Sequence, residues 1–177
     1  MHEINITREG IQRLLLNLNT HKAPGPDGIM SRVLKELANP VANILTVIFR
    51  KSCDTGEIPN SWKVAYVTQV FNKGSKCNPS NYCRISLTCI ACKLMEHIIK
   101  SSIMHGANDN HIHYPLQHGF RGKRSSETQL LGFAQDLVNN MHDGRQTDIL
   151  LMDLSKAFAK VSHPRHLITK LSRNGIH

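Results

Sequence analysis

Apolar residues recur every three or four positions through much of the first half of the chain, which is the spacing of amphipathic helices. One such segment covers residues 7–19, with Thr7 as its N-cap and an apolar face made of Ile11, Leu14, Leu15 and Leu18. A second covers residues 31–53 and is interrupted near Pro40; its predicted buried face is Val33, Leu34, Leu37, Val41, Ile44, Leu45 and Ile48. Between them, the prolines and glycines of residues 20–29 exclude regular structure and predict a turn or loop.

The pattern changes to that of strands in residues 64–71 and 82–88, which are rich in β-branched and aromatic side chains. The stretch between them has turn chemistry, so the two runs predict a hairpin with a long, basic tip. Trp62 stands just before the first run and is predicted to lie in the core rather than to stack on a base. Thr88 could cap a further helix that ends near Met104.

The second half of the chain begins with a polar, histidine-rich stretch that predicts a surface loop. Ser126 and Gln129 then have capping-box spacing and open a predicted helix. The apolar run 147–153 ends in a carboxylate, as a buried central strand would. A last helix is expected from Pro164 to Gly175. Helices, one hairpin and a lone central strand together predict an α+β fold.

Positive charge is spread evenly along the chain. Lysine and arginine number 22 against 13 aspartates and glutamates, for a formal net charge of +9. The balance is 11 to 6 in residues 1–90 and 11 to 7 in residues 91–177. A compact basic body attracts polyanions by long-range attraction and counterion release. Nucleic acid is therefore the first partner to consider, against the alternative of an ordinary solvated basic surface.

No segment has the apolar core of a secretory signal or the roughly 20 apolar residues that a membrane helix needs. We therefore expect an intracellular protein, nuclear or cytoplasmic, that is not secreted and has no membrane partner. The five cysteines are an odd number and favour reduced thiols over a disulfide framework. Cys89 and Cys92 form a C-x-x-C, but no second ligand pair follows at zinc-finger spacing, so they are expected to be free, partly buried thiols.

Asp153 is the residue whose position most suggests chemistry. A carboxylate at a strand end holds its oxygen in place while a hard divalent ion keeps positions open for phosphate. Taken alone, an aspartate that caps the following turn explains the same position more simply.

Five motifs follow one another along the chain: HKAPGPDGI (21–29), GEIPNSWKVAYVTQVFNKG (56–74), NPSNYCRISLTCIACKLMEHII (78–99), QHGFRGKRSSETQLL (117–131) and DILLMDLSKAFAKVSH (148–163). In order and spacing this set resembles the reverse transcriptases of non-LTR (LINE-like) retrotransposons. The likeness runs from about residue 7 to residue 177. Five long motifs in register make it far more specific than any one of them.

The resemblance implies a right-hand polymerase fold, of which this chain would hold helical fingers with a β-hairpin and the start of the palm sheet. Residues 1–105 would be a fingers-like part, and residues 106–177 the remaining fingers and the first part of the palm. The implied activity is that of an RNA-directed DNA polymerase, a nucleotidyltransferase. Its partners would be an RNA template, a DNA primer and dNTPs, with two Mg²⁺ ions as cofactor.

The resemblance also assigns roles to residues. Asp153 matches the family's first catalytic aspartate, which bridges the two metal ions. The incoming nucleotide would lie against Leu154, Lys156, Ala157 and Phe158, of which Phe158 closes over the 2′ position of the sugar. Lys73 and Arg84 lie on and beside the predicted hairpin, where their charges would screen the triphosphate; ordinary surface charge is the alternative. Arg121, Lys123 and Arg124 form a basic cluster in front of a predicted helix and would contact the template backbone, with ordinary surface charge again as the alternative. The Gly-Pro-Asp-Gly loop at residues 25–28 would be a rigid turn that supports the fingers.

Three positions depart from the family's usual sequence. Cys83 stands where arginine is usual, and Arg84 follows one residue later, so in a strand its side chain would point to the opposite face. Asn72 stands at a common lysine position. Ala159 replaces the second aspartate of Ala-Phe-Asp. Such changes within the nucleotide-handling motifs are typical of a decaying copy.

The sequence contains no Asp-Asp pair, so the family's aromatic-Ala-Asp-Asp hairpin has no counterpart in it. A single carboxylate does not supply the several oxygen ligands that hard divalent ions require. We therefore expect a reverse transcriptase region that is inactive alone. The alternative is a non-catalytic nucleic-acid-binding module derived from a retrotransposon.

Overall fold

A computed structural model describes residues 4–154 and 162–175. They divide into two compact units, a first unit that ends at Met104 and a second unit that begins at His105. The elements are helices and one small antiparallel sheet, which is compatible with the predicted α+β class. In the described part of the chain, no helix combines the length and the apolar character needed to cross a membrane.

The first unit is built on three helices near its start: α1 (Arg8–Leu16), α2 (Ser31–Glu36) and α3 (Ala38–Thr55). The predicted cap of α1 is confirmed, since the Thr7 hydroxyl accepts a hydrogen bond from the Gly10 amide at 3.1 Å. The arginine of α3 at position 50 donates two bonds to the Ile6 carbonyl, at 3.0 and 2.8 Å. These bonds fix the chain before α1 against α3.

The core of the first unit lies between α1, α3 and the helix α4 (Ile90–Asp109), which starts in this unit. Ile11 and Leu15 of α1 are fully buried there, as the apolar spacing predicted. Phe49 of α3 is also fully buried, and its ring meets that of Trp62 edge to face, with centroids 5.6 Å apart. Trp62 therefore packs against the core, which confirms the prediction made for it.

The predicted buried face of residues 31–53 is partly wrong. Leu34 and Leu45 are buried, but Val33, Leu37 and Ile44 are 47%, 50% and 60% exposed. The helix is interrupted at Leu37, three residues before the proline, and α3 turns a face that includes the small Ala38 and Ala42 toward α1. Small residues let two helices approach closely, and a count of apolar positions does not detect that preference.

The hairpin is confirmed. Strands β1 (Tyr66–Phe71) and β2 (Tyr82–Leu87) pair antiparallel, with Tyr66 opposite Leu87 and Phe71 opposite Tyr82. The helix that follows starts at Ile90, two residues beyond Thr88, and continues past Met104 to Asp109. It is longer than predicted because its polar last turns, including Gly106, remain helical.

The second unit holds the end of α4, a loop of residues 110–125, and the helix α5 (Ser126–His142). A capping box is present, but one residue earlier than predicted: Ser125 accepts from the Thr128 amide, and the Thr128 side chain accepts from the Ser125 amide. Ser126 is thus the first residue inside the helix. After the gap, a π-helical turn (His163–Leu167) leads into α6 (Ile168–Arg173), close to the predicted last helix.

The predicted central strand at residues 147–153 is wrong for this structure. Residues 145–154 have no regular secondary structure, and Leu150, Leu151 and Met152 are 80%, 87% and 84% exposed. A strand requires a neighbour that completes its backbone hydrogen bonds. Among the described residues the one sheet pairs β1 with β2, so this run has no such neighbour.

Candidate nucleic-acid interface

The hairpin tip, residues 72–81, is held in one shape by bonds within the tip and to the strands. The Asn81 side-chain amide donates to the Ser75 carbonyl at 2.9 Å, and the Tyr82 hydroxyl donates to the Lys76 carbonyl at 2.9 Å. Gly74 has a φ of +91° and lies so close to Asn81 that a Cβ would stand 2.6 Å from its amide nitrogen. The tip is therefore an ordered loop that presents its side chains in defined positions.

Cations surround this tip. Lys73 lies exposed at its start, and Lys76 places its ammonium 5.9 Å from the centre of the Phe71 ring, within cation–π range. Phe71 in turn meets Tyr82 edge to face at 5.5 Å. The two rings and the lysine thus form one packed group at the base of the tip.

Arg84 lies on β2 opposite Gln69 of β1. Side chains alternate along a strand, so Arg84 shares a face with Tyr82 and Phe71, while Cys83 belongs to the other face. The register agrees with the expected reversal: the arginine side chain is on the face opposite to position 83. On its own face, Arg84 stands in line with the packed group of Phe71, Tyr82 and Lys76.

The stretch of sequence that contains the hairpin carries only positive charge. Residues 58–95 contain no aspartate or glutamate, and they contain the cations Lys63, Lys73, Lys76, Arg84 and Lys93. Clustered cations without intervening carboxylates attract phosphates, because no internal ion pair competes with the ligand.

Behind the hairpin, the Gly-Pro-Asp-Gly loop supports the start of α4. The Gly28 amide donates to the Gly25 carbonyl at 3.1 Å, and the Ile29 amide donates to the Asp27 carboxylate at 3.2 Å. Gly25 is buried against the backbone of Cys89. The loop is therefore a closed turn in contact with the segment that joins β2 to α4.

Cys89 in that segment and Cys92 in the first turn of α4 are free thiols, as are the other three cysteines. Cys89 is 2% exposed, and burial raises the pKa of its thiol. Burial, followed by the neighbouring Glu96 carboxylate, raises the pKa of Cys92 to about 12, and this thiol donates to that carboxylate at 3.6 Å. Protonated thiols are poor nucleophiles and poor metal ligands.

The three residues of the predicted template cluster lie in three different environments in the second unit. Arg124 donates to the carbonyls of Pro115 and Gln117, the latter at 3.0 Å, and so fastens the loop before α5. Lys123 is exposed, with a left-handed φ of +61°. Among the described residues, neither the buried Nη1 of Arg121 nor the buried Nε2 of His113 has a hydrogen-bond partner. An unmet buried donor costs about 1–3 kcal/mol, and more when charged.

Asp153 and Leu154 lie exposed in the irregular segment, whereas Lys156, Ala157, Phe158 and Ala159 fall outside the described residues. Within the described ranges, no group of three or more His, Cys, Asp or Glu side chains is arranged to hold a metal ion. Asp153 therefore has no companion ligands there, and these residues do not fit the two-Mg²⁺ centre that the resemblance implies.

No protein-family model matches the chain. Three relatives do. The chain is 26% identical over 160 residues to the RNA-directed DNA polymerase from mobile element jockey of Drosophila melanogaster, which covers 90% of this chain and 18% of that protein. It is 24% identical over 154 residues to the probable RNA-directed DNA polymerase from transposon X-element of the same species, covering 86% and 17%. The jockey polymerase of Drosophila funebris matches at 23% over 160 residues, covering 90% and 18%.

The chain contains a reverse transcriptase-like region. It spans less than a fifth of the length of the relatives that it matches. Within this reverse transcriptase-like region, sequence reasoning missed two residues. Lys76 follows Lys73 in the same basic tip, so the composition of the tip could have indicated it. Nothing in the sequence marks His113, since the burial of its Nε2 arises from the fold of the loop around it.

Proposed function

We propose that this chain is part of a retrotransposon RNA-directed DNA polymerase, and that its hairpin binds the phosphates of nucleic acid or of the incoming dNTP. The hairpin, with its one-signed charge, carries the proposal. It stands in a chain whose matched relatives are named as RNA-directed DNA polymerases. In the same proposal, the first unit acts as fingers and the second unit enters the palm of a right-hand polymerase.

The chemistry of the hairpin suits this role. A guanidinium presents a planar fork that matches two phosphate oxygens, whereas an ammonium acts as a compact point charge. Arg84 would provide the fork on one face of β2, and Lys73 the point charge at the ordered tip. Because the tip is already ordered, little conformational entropy is lost when it binds.

The test is the affinity for an RNA template annealed to a DNA primer, measured by fluorescence anisotropy. In the double variant Lys73→Gln with Arg84→Gln, we expect binding to weaken roughly tenfold or more, since two charged contacts are lost. The matched control is Arg13→Gln with Lys100→Gln, which removes the same charge from exposed helical positions of the same unit. Equal losses in both doubles would show that only the net charge matters, and would refute a hairpin site.

A second candidate function is a nucleic-acid-binding module without catalysis. The exposed Asp153, which lacks companion ligands in the described residues, favours it. Primer extension on an RNA template with Mg²⁺ and dNTPs separates the two functions. Extension by the 177-residue polypeptide would exclude the module; binding without extension would support it, and would agree with our expectation that this polypeptide is inactive alone.

A further inference from the structure

Two aromatic rings at the base of the hairpin tip hold one lysine at both of its ends. The Tyr82 hydroxyl donates to the main-chain carbonyl of Lys76 at 2.9 Å. The Phe71 ring contacts the side-chain ammonium of Lys76, which lies 5.9 Å from the ring centre. The two rings lie opposite each other in the hairpin and pack edge to face, with centroids 5.5 Å apart. The backbone and the side chain of Lys76 are therefore both held by neighbouring residues.

The ammonium of Lys76 keeps its charge available to a ligand. Lys76 is exposed, and among the described residues no carboxylate forms an ion pair with it. An aromatic ring attracts a cation through its quadrupole and has no net charge, so it orients the ammonium without neutralising it. An exposed cation that is oriented but not neutralised suits an anionic ligand.

Lys73, at the start of the same tip, is not held in this way. Its exposed side chain makes no hydrogen bond, ion pair or ring contact with any other described residue. Such a side chain loses its rotamer freedom when it binds, whereas Lys76 has already lost part of that freedom in the fold. For the same phosphate contact, Lys76 should therefore contribute more affinity than Lys73.

We propose that Lys76 is a phosphate-binding residue of the hairpin, and that Phe71 and Tyr82 are the positioning residues that hold its ammonium in place. The identity of the ligand rests on the proposed function, which takes the hairpin to bind phosphates. Lys76 adds a third cation to Arg84 and Lys73, and the aromatic pair gains a task beyond packing. The phosphate belongs either to a nucleic-acid backbone or to a nucleoside triphosphate, and separate titrations distinguish the two sources.

The positions of the two rings can be tested without a ligand. In the natural protein, the ring current of Phe71 should shift the ε-methylene proton signals of Lys76 upfield, and Phe71→Leu should abolish that shift. Tyr82→Phe keeps the ring but removes the hydroxyl, and should speed hydrogen exchange at the Asn78 amide, which donates within the tip. Tyr66→Phe removes a hydroxyl from the opposite end of the hairpin and should change neither signal. Unshifted Lys76 signals in the natural protein would overturn the positioning role of the ring.

Affinity for an RNA template annealed to a DNA primer tests the phosphate contact. Lys76→Gln should weaken binding roughly tenfold, and should lower the slope of log affinity against log salt by about 1, the value for one lost phosphate contact. Lys76→Arg keeps the charge and should keep the slope. Lys100→Gln, which removes the same charge from an exposed position of α4, should also keep it.

A double variant tests whether Tyr82 acts through Lys76. Tyr82→Phe alone should weaken binding roughly fivefold, with an unchanged salt slope because no charge is lost. Combined with Lys76→Gln it should cost no further affinity, since the ammonium that it positions is already absent. A merely structural effect on the hairpin would also disturb the contacts of Lys73 and Arg84, and the two losses would then add.

The outcomes separate this assignment from the proposed function. If Lys73→Gln with Arg84→Gln weakens binding, but Lys76→Gln matches Lys100→Gln for both the primer-template and dTTP, Lys76 binds no phosphate and the proposed function stands. If the losses from Tyr82→Phe and Lys76→Gln add, the positioning role of Tyr82 is wrong. A loss in Lys76→Gln with the primer-template alone supports a backbone phosphate, and a loss with dTTP alone supports the triphosphate. If the natural protein binds neither ligand, both proposals fail.

Discussion

Gly25 lies against the backbone of Cys89 so closely that a Cβ built on it would stand 2.5 Å from both the Cα and the amide nitrogen of Cys89. These residues belong to distant parts of the sequence, the proline-glycine loop and the segment between β2 and α4. The approach is possible only because glycine has no side chain. It joins the loop to the segment that carries the hairpin into α4.

Replacement of Gly25 by alanine should therefore destabilise the first unit. The added methyl group meets backbone atoms that cannot rotate away, so we expect the free energy of unfolding to fall by roughly 1–3 kcal/mol or more. Gly106→Ala is the control, because nothing lies within 4 Å of its Cβ position and alanine favours a helix. Thermal melts in which both variants unfold at the same temperature would contradict the close approach.

The cap of α5 distinguishes the structure from the prediction made from its sequence. Ser125→Ala removes the side chain that accepts from the Thr128 amide, and should cost about 1 kcal/mol. Ser126→Ala changes the first helical residue and should be neutral or slightly stabilising. Urea unfolding of the two variants measures the difference. If Ser126→Ala lost more stability than Ser125→Ala, the cap would be at Ser126, as the sequence alone predicted.

The two faces of α3 are tested by neighbouring residues of equal size. Leu45 is 7% exposed and packs in the core, so Leu45→Ala should lower the free energy of unfolding by about 2–5 kcal/mol. Ile44 is 60% exposed, and Ile44→Ala should change it by less than about 1 kcal/mol. Similar losses for the two variants, measured by chemical denaturation, would show that α3 is rotated from the orientation described.

Thiol reactivity should follow burial and pKa. The thiolate is the reactive form, and a pKa raised to about 12 leaves Cys92 almost wholly protonated at pH 8. Iodoacetamide at pH 8 should therefore modify the exposed Cys77 well before Cys92 or the buried Cys89. Mass spectrometry of digested samples at successive times follows each cysteine. Modification of Cys92 as fast as Cys77 in the folded protein would contradict its environment.

Local sequence signals predicted the first unit well. The Thr7 cap, the burial of Ile11 and the hairpin all follow from side-chain spacing and turn chemistry, which act over a few residues. The strand at residues 147–153 did not follow, because an apolar run becomes a strand only beside another strand. The predicted burial of Val33 and Ile44 was wrong for a related reason, because the elements that pack against a helix determine which of its faces is buried.

The sequence predicted the features of the candidate site that depend on charge, and it missed those that depend on tertiary geometry. Lys73 and Arg84 could be selected from a basic hairpin, and the strand period gave the face of Arg84. In contrast, Arg121 and Arg124 look equivalent in the sequence. The fold separates them. The guanidinium of Arg124 donates to the carbonyls of Pro115 and Gln117, whereas the Nη1 of Arg121 is buried and has no hydrogen-bond partner among the described residues.

The salt dependence of binding to an RNA–DNA primer-template tests most directly the claim that the hairpin binds phosphates. Log affinity of the natural protein should fall linearly with log salt, and the double variant Lys73→Gln with Arg84→Gln should show a slope smaller by about 2. The double variant Arg13→Gln with Lys100→Gln should keep the natural slope. No binding at low salt, or equal slopes in all three proteins, would contradict the account.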